Sequence, residues 1–335
     1  MGTQVYLLAG TTAGLFVFWS DRARRRWELS GPWLQPAEVC CVLADQRGAL
    51  RFWAAVVAAD QGPSLCLSED LGQSWQRVAG PEEFNTSASQ PVRRLWHLAA
   101  APPVQPELLY AGVEGAALLE SRDGGRSWHV IPSLARAMRE VAPDSALREG
   151  WVHGLLIDPA DPRRIWAGVQ VAGVFRTDDS GATWVPCTTR LPAPAACDRG
   201  PAAGYCVHKL ALDPANHNSL YLQHREGVFT SADGGRTWHR IDQGLPRRFG
   251  FPICVTKTGT VLVVPLESAE RRVPLQGQRM VYASEQRASS GMRLLLTRLI
   301  HQGYTSAQLW ASSTLQPTAG RPGICSASMC RASPQ

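Results

Sequence analysis

Four aspartates recur inside nearly the same octet: Asp70 in SEDLGQSW, Asp123 in SRDGGRSW, Asp179 in TDDSGATW and Asp233 in SADGGRTW. Repeated carboxylates raise the question of glycoside hydrolysis, which uses two carboxyl groups about 5–10 Å apart across one bond. One aspartate per repeat, each on its own turn, does not supply such a pair. The other letters point to a fastener. Ser68, Ser121, Thr177 and Ser231 open the octets with a hydroxyl. Hydroxyl and carboxylate together can accept hydrogen bonds from the N–H groups of a tight turn. Gly72, Gly125, Gly181 and Gly235 suit a positive φ. Trp75, Trp128, Trp184 and Trp238 end the octets with a large apolar ring that can roof a hairpin.

A second set of residues has its own chemistry. His97, His153 and His208 each stand six residues before a proline, Pro103, Pro159 and Pro214. Neutral imidazoles are good transition-metal ligands. If these three converge to about 2 Å from one point, they hold a divalent transition metal, with Glu114 able to complete the site. No other cofactor is implied. Glu114, Gln170 and His224 form a further set, each three residues before Ala117, Gly173 and Gly227. Together with Trp151 and Tyr205, these side chains make a polar ring for a small-molecule or carbohydrate ligand. The plainer reading is a water-lined channel whose histidines bond neighbouring backbone. Trp96 also flanks this set. Arg93, Arg94, Arg148, Arg247 and Arg248 lie near it and suit a carboxylate. His129 and His239, directly after octet tryptophans, are expected to be exposed.

The elements that position these residues are short. The octet tryptophans are spaced by 53, 56 and 54 residues. SDRARRRW, ending at Trp27, is a worn copy, and SEQRASSG a copy without Asp, Gly or Trp at the box positions. Ahead of the good octets run LYAGVEGAALLES, IWAGVQVAGVFRT and SLYLQHREGVFTS. Ahead of those come WHLAAAPPVQP, VHGLLIDPADP and VHKLALDPANH. One unit therefore reads strand, Asp-Pro-type turn, strand, Gly-containing loop, strand, octet hairpin, strand. Sheets of this kind bury their faces by stacking, and the expected fold is an all-β propeller of six or seven four-stranded antiparallel blades. Octets and Asp-Pro turns fall at one end of each blade. The histidines and the long blade-joining loops Pro81–Pro91, Ile131–Gly150, Thr188–Gly204 and Asp242–Gly250 fall at the other, where binding is expected.

The pattern S/T-x-D-x-G-x-T/S-W resembles the Asp-box, or BNR repeat, of sialidase, sortilin and xyloglucanase propellers. The runs RLWHLAAAP, LYAGVEGAALLES, AGVFRTDDSG, GYCVHKLALDP and FGFPICV resemble bacterial BNR-repeat proteins of the exo-sialidase-like or glycosyl-hydrolase group. The likeness covers residues 1–284. It implies a scaffold more than a reaction. A sialidase would add three arginines, a Tyr–Glu couple and a Phe/Tyr-Arg-Ile-Pro run. The last is absent, and Tyr205 with Glu149 is the couple to try. A xyloglucanase-like pair would join Glu114 with Asp144 or Asp198. The expected function is a scaffold that binds a ligand or protein partner opposite the octets, as sortilin-like and photosystem-assembly propellers do. Glycoside hydrolysis and metal binding are the alternatives.

Bulk properties narrow the partners. The net charge of +6 is mild for a nucleic-acid binder, and the Arg22–Arg26 cluster lacks interleaved aromatics. Nine cysteines without a C-x-x-C fit a reducing cytoplasm better than a disulfide framework. VYLLAGTTAGLFVFW has no basic residue before it and reads as two strands rather than a leader, and no run suits a bilayer. After Ser284 the repeat grammar breaks down, and from Met292 onward there is no Asp or Glu. Residues 285–335 read as a degenerate final repeat with an irregular tail, native, truncated or frame-shifted. Such an end would leave the first strand, QVYLLAG, with an open edge.

Overall fold

The computed structural model describes residues 4–85, 91–142, 150–192, 205–278, 280–284, 294–295 and 324–328. The fold class is all-β, built from six propeller blades. The chain divides into two compact units, Met1–Ile131 with Ala307–Arg331, and Pro132–Ser306 with Ala332–Gln335.

In the first unit, blade one holds Val5–Thr11, Gly14–Ser20 and Glu28–Trp33. The run VYLLAGTTAGLFVFW is thus two strands. Blade two holds Glu38–Asp45, Arg51–Ala58, Gly62–Ser68 and Gln76–Ala79. Blade three holds Leu95–Ala100, Leu109–Val113, Ala117–Ser121 and Trp128–Val130, with Phe84–Asn85 added parallel to the last. The edge of Val5–Thr11 is covered: Ile324–Ser328 pairs with it in parallel, Tyr6 opposite Ile324 and Gly10 opposite Ser328.

In the second unit, blade four holds Val152–Ile157, Ile165–Val169, Gly173–Thr177 and Val185–Pro186. Blade five holds Val207–Asp213, Asn216–His224, Gly227–Ser231 and His239–Arg240. Blade six holds Gly250–Val255, Val261–Pro265, Tyr282–Ser284 and Leu294–Leu295. Two strands therefore lie beyond Ser284; the remainder of that segment, SEQRASSG's last seven residues included, lies outside the described residues. The segment after Ile131, expected as a loop, begins with a helix, Pro132–Arg139. Leu134, Ala137 and Met138 are its buried face, a spacing that marks a helix.

The second strands LYAGV and IWAGV are buried along their whole length, as strands inside face-packed sheets are. Tyr6, Leu8 and Val17 of blade one pack with Phe52, Ala54 and Val56 of blade two. Trp53 and Leu65 of blade two pack with Leu95, Leu109 and Trp128 of blade three. Trp166 and Val174 of blade four meet Val207, Leu220 and Trp238 of blade five, and Tyr221 and Val228 of blade five meet Ile253, Val261 and Tyr282 of blade six.

All four octets form the same turn between strands three and four. The opening hydroxyl of Ser68, Ser121, Thr177 or Ser231 accepts the N–H of Gly72, Gly125, Gly181 or Gly235 at 2.8–2.9 Å. It donates to Oδ1 of Asp70, Asp123, Asp179 or Asp233 at 2.6–2.8 Å. The other oxygen, Oδ2, takes the hydroxyl of Ser74, Ser127, Thr183 or Thr237. These bonds favour the ionised carboxyl. The Ser74 bond leads in holding Asp70 at about 2, and the Thr177 bond in holding Asp179 at about 2. For Asp123, burial pushes upward but the bonds of Ser127 outweigh it, giving about 2. The worn copy keeps its hydroxyl: Ser20 donates to the Arg26 carbonyl. Trp128, Trp184 and Trp238 are buried, and Trp75 is half-buried against the core of blades one and two.

Candidate functional site

Within each blade, strand one runs toward the octet end and starts at the opposite end, where the expected binding residues lie. Strand one carries a β-bulge there in five blades. Such a bulge sets an extra residue against its partner and re-aims its side chain. The extra residues are Cys40, Trp96, His153 and His208, with Phe251 and Pro252 in blade six.

This register corrects the sequence alignment at two points. His97 is not the counterpart of His153 and His208; it sits in the regular ladder opposite Gly112, and Trp96 takes the bulge. The reason lies at the turn. Ala101 N–H bonds the Leu108 carbonyl as Asp158 N–H bonds Arg164, so Pro102, not Pro103, corresponds to Pro159. Likewise, the N–H groups of Glu114, Gln170 and Arg225 reach the carbonyls of Arg94, Trp151 and Cys206. His224 therefore lies one position before the set that holds Glu114 and Gln170.

In the first unit, Arg94 is the hub. Its two terminal nitrogens bond both oxygens of Glu38 at 2.7 and 3.1 Å. Its guanidinium carbon lies 5.1 Å from the Trp96 ring centre. Burial works to lower the Arg94 pKa, and the charges of Cys40, Glu38 and Glu114 raise it by more. Two carboxylates thus share one cation beside a half-buried indole. Glu38 gave no signal in the sequence, because it lies in another blade and no spacing links it to Arg94. Arg94 itself is engaged rather than open to a ligand carboxylate.

In the second unit, His153, His208 and His224 interact electrostatically through His208. Burial lowers His153 to about 3, aided by His208 and Lys209. It lowers His224 to about 3, aided by His208 and Arg240. It lowers His208 to about 4, against the opposing pull of the Gly250 carbonyl. All three are neutral at pH 7. His208 Nδ1 donates to that carbonyl at 2.6 Å, and its ring lies 4.7 Å from Phe251 and 5.3 Å from Phe249. The Trp151 ring is 6.0 Å from His153. The Tyr205 side chain packs beside Gly173. Gln170 is half-buried at the end of strand two.

Among the described residues, no group of three His, Cys, Asp or Glu is arranged to hold a metal ion, His97, His153 and His208 included. The imidazoles are already committed on one nitrogen each in His208 and His224, to backbone of their own surroundings. His129 and His239 are exposed, as expected. Asp144, Arg148, Glu149 and Asp198 lie outside the described residues. No described helix is long and apolar enough to cross a membrane.

No protein-family model matches the chain. A xyloglucanase of Hypocrea jecorina is 27% identical over 168 residues, 46% of this chain and 18% of that protein. A probable oligoxyloglucan-reducing end-specific xyloglucanase of Neosartorya fischeri is 25% identical over 215 residues, 61% of this chain and 23% of that protein. The chain thus spans about a quarter or less of the length of these curated relatives. Among solved structures, the GH74 xyloglucanase of Xanthomonas campestris aligns with a TM-score of 0.61 at 16% identity, over 88% of this chain and 46% of that one. An ancestral GH74 enzyme aligns with a TM-score of 0.53 at 18% identity, over 78% of this chain and 32% of that one. A putative 6-phosphogluconolactonase of Bacteroides uniformis aligns at 0.55 and 12% identity, over 88% of this chain and 81% of that one. The structural likenesses establish the fold and nothing finer. By sequence and by fold, this chain is a β-propeller whose relatives include xyloglucanases.

Proposed function

We propose that this protein is a glycoside-hydrolase-like propeller directed at a β-glucan of the xyloglucan type. Glycoside chemistry is favoured over a protein-docking scaffold because the curated relatives are xyloglucanases. The observation that carries the site is the Arg94 cluster, with Glu38 and Glu114 acting on one guanidinium beside Trp96. An indole face stacks on the C–H face of a pyranose, and carboxylates accept sugar hydroxyls. Glu114, whose carboxylate the Arg94 fork does not chelate, is the acid we assign to the reaction.

A second reading is binding without turnover. It rests on Glu38, both of whose oxygens already accept from the Arg94 fork and are engaged there. One experiment separates the two. Wild type, Glu114→Gln and Trp96→Ala are incubated with xyloglucan, measuring reducing-end release and retardation in xyloglucan-containing gels. Release by wild type that Glu114→Gln abolishes supports hydrolysis. Retardation without release, lost in Trp96→Ala, supports binding. Neither release nor retardation by wild type removes both.

A further inference from the structure

We infer that the histidine cluster of the second unit is a binding site for a neutral hydroxyl-bearing ligand, a pyranose or polyol, held between His224 Nε2–H and His208 Nε2. This deepens the carbohydrate reading above and rests on it for the ligand class.

The hydrogen bonds fix the two tautomers. His224 Nδ1 accepts the Glu226 N–H at 3.0 Å, so the ring proton is on Nε2. The Gly250 carbonyl can only accept, so His208 carries its proton on Nδ1 and offers a lone pair at Nε2. His224 Nε2–H is a donor on a side chain 3% exposed, and it has no hydrogen-bond partner among the described residues. His153 Nδ1 is a second buried ring nitrogen in the same position. A buried donor left unmade costs about 1–3 kcal/mol, so such groups in native proteins meet a ligand or an ordered water.

The two imidazoles sit on neighbouring strands, with Val207 opposite His224 and His208 bulged out beside it. A donor on one imidazole and a lone pair on the other suit a hydroxyl, which accepts from the first and donates to the second. They do not match a carboxylate or phosphate, which cannot donate to His208. Nor do they match a cation, because Lys209, Arg225, Arg240 and Arg272 all act on the cluster. Of the carboxylates nearby, Asp242 is paired with Arg240 and Arg248, and Glu270 lies 3.6 Å from Arg225. Half-buried Phe251 lies beside His208 and half-buried Trp151 beside His153, so each of these imidazoles has an apolar ring next to it.

The test is long-range proton–nitrogen NMR of the imidazoles in the full chain, titrated with xylose, cellobiose and glucuronate. The expected result is Nε2–H at His224, Nδ1–H at His208, and saturable shifts of both rings with xylose or cellobiose. His208→Phe and His224→Phe should each weaken the neutral sugar at least about fivefold, the worth of one neutral hydrogen bond. Reversed tautomers, a stronger response to glucuronate, or no response at saturating neutral sugar, with ordered water the only partner, overturns the inference. The wild-type titration decides the matter even if a variant fails to fold. Imidazole shifts without xyloglucan retardation leave this site standing and remove the Arg94 site; the reverse outcome does the opposite.

Discussion

Arg47 Nη1 lies 2.8 Å from the Leu108 carbonyl oxygen and joins the turn of blade two to the turn of blade three. The same nitrogen reaches the carbonyls of Ala101 and Gln105. Asp45, 2% exposed, anchors the guanidinium through both carboxyl oxygens and also takes Arg51. Blade three carries Ala101 where other turns carry a buried aspartate, Asp45, Asp158 or Asp213. There the arginine of the preceding blade donates to three carbonyls of the turn.

Arg47→Ala is therefore expected to destabilise the protein by about 2–3 kcal/mol, since Asp45 stays buried with only Arg51 as its cation. Chemical denaturation measures it. A loss below about 0.5 kcal/mol would show that the clamp is idle.

The octet glycines Gly72, Gly125 and Gly235 meet the preceding blade. Gly125 has φ +84°, and a Cβ there would stand 3.1 Å from the Trp53 ring; at Gly72 the same atom would stand 2.9 Å from Val17. Gly125→Ala combines left-handed strain with overpacking and is expected to cost about 1–3 kcal/mol. Gly48→Ala, with nothing within 4 Å, is the control and should be near neutral.

The depressed histidines make stability pH-dependent. His153 and His224 titrate at about 3 and His208 at about 4 when folded, against 6.5 in the unfolded chain. Below pH 6.5 the unfolded chain binds protons that the folded chain refuses. Stability is full above 6.5 and falls as pH drops toward 4, by on the order of 1–2 kcal/mol per histidine at pH 5. Melting temperatures from pH 8 to 4 test this. A flat profile would contradict the burial of these rings, and His224→Phe should flatten it in part.

The octet aspartates act lower on the scale. With Asp70, Asp123 and Asp179 at about 2 against 3.8 unfolded, their contribution is complete above pH 3.8 and is lost as pH falls toward 2. Asp123→Asn should lower the melting temperature and leave retardation by xyloglucan unchanged. A loss of carbohydrate binding in a protein that melts normally would return the octets to the functional site.

The sequence read well wherever structure is local. The octet turn closes through hydrogen bonds no more than four residues apart, so its letters lie side by side and its glycines, hydroxyls and carboxylates were legible. The four-strand order of each blade followed from turn signals for the same reason. The worn first repeat was legible too, through Ser20 and Trp27.

The candidate site was less legible because it depends on pairing between strands. A bulge is a property of two strands, and none of the letters around His153 or His208 announces one. The Pro102–Pro103 pair placed His97 in a set that belongs to Trp96. Glu38 and Arg94 are 56 residues apart, with no periodicity to link them. The chain alone determined the repeating unit, its turns and the end of each blade where chemistry would be sought. Only tertiary structure decided which side chains meet there, because cross-strand register and burial between sheets, not sequence spacing, set the partner and the protonation state of each group.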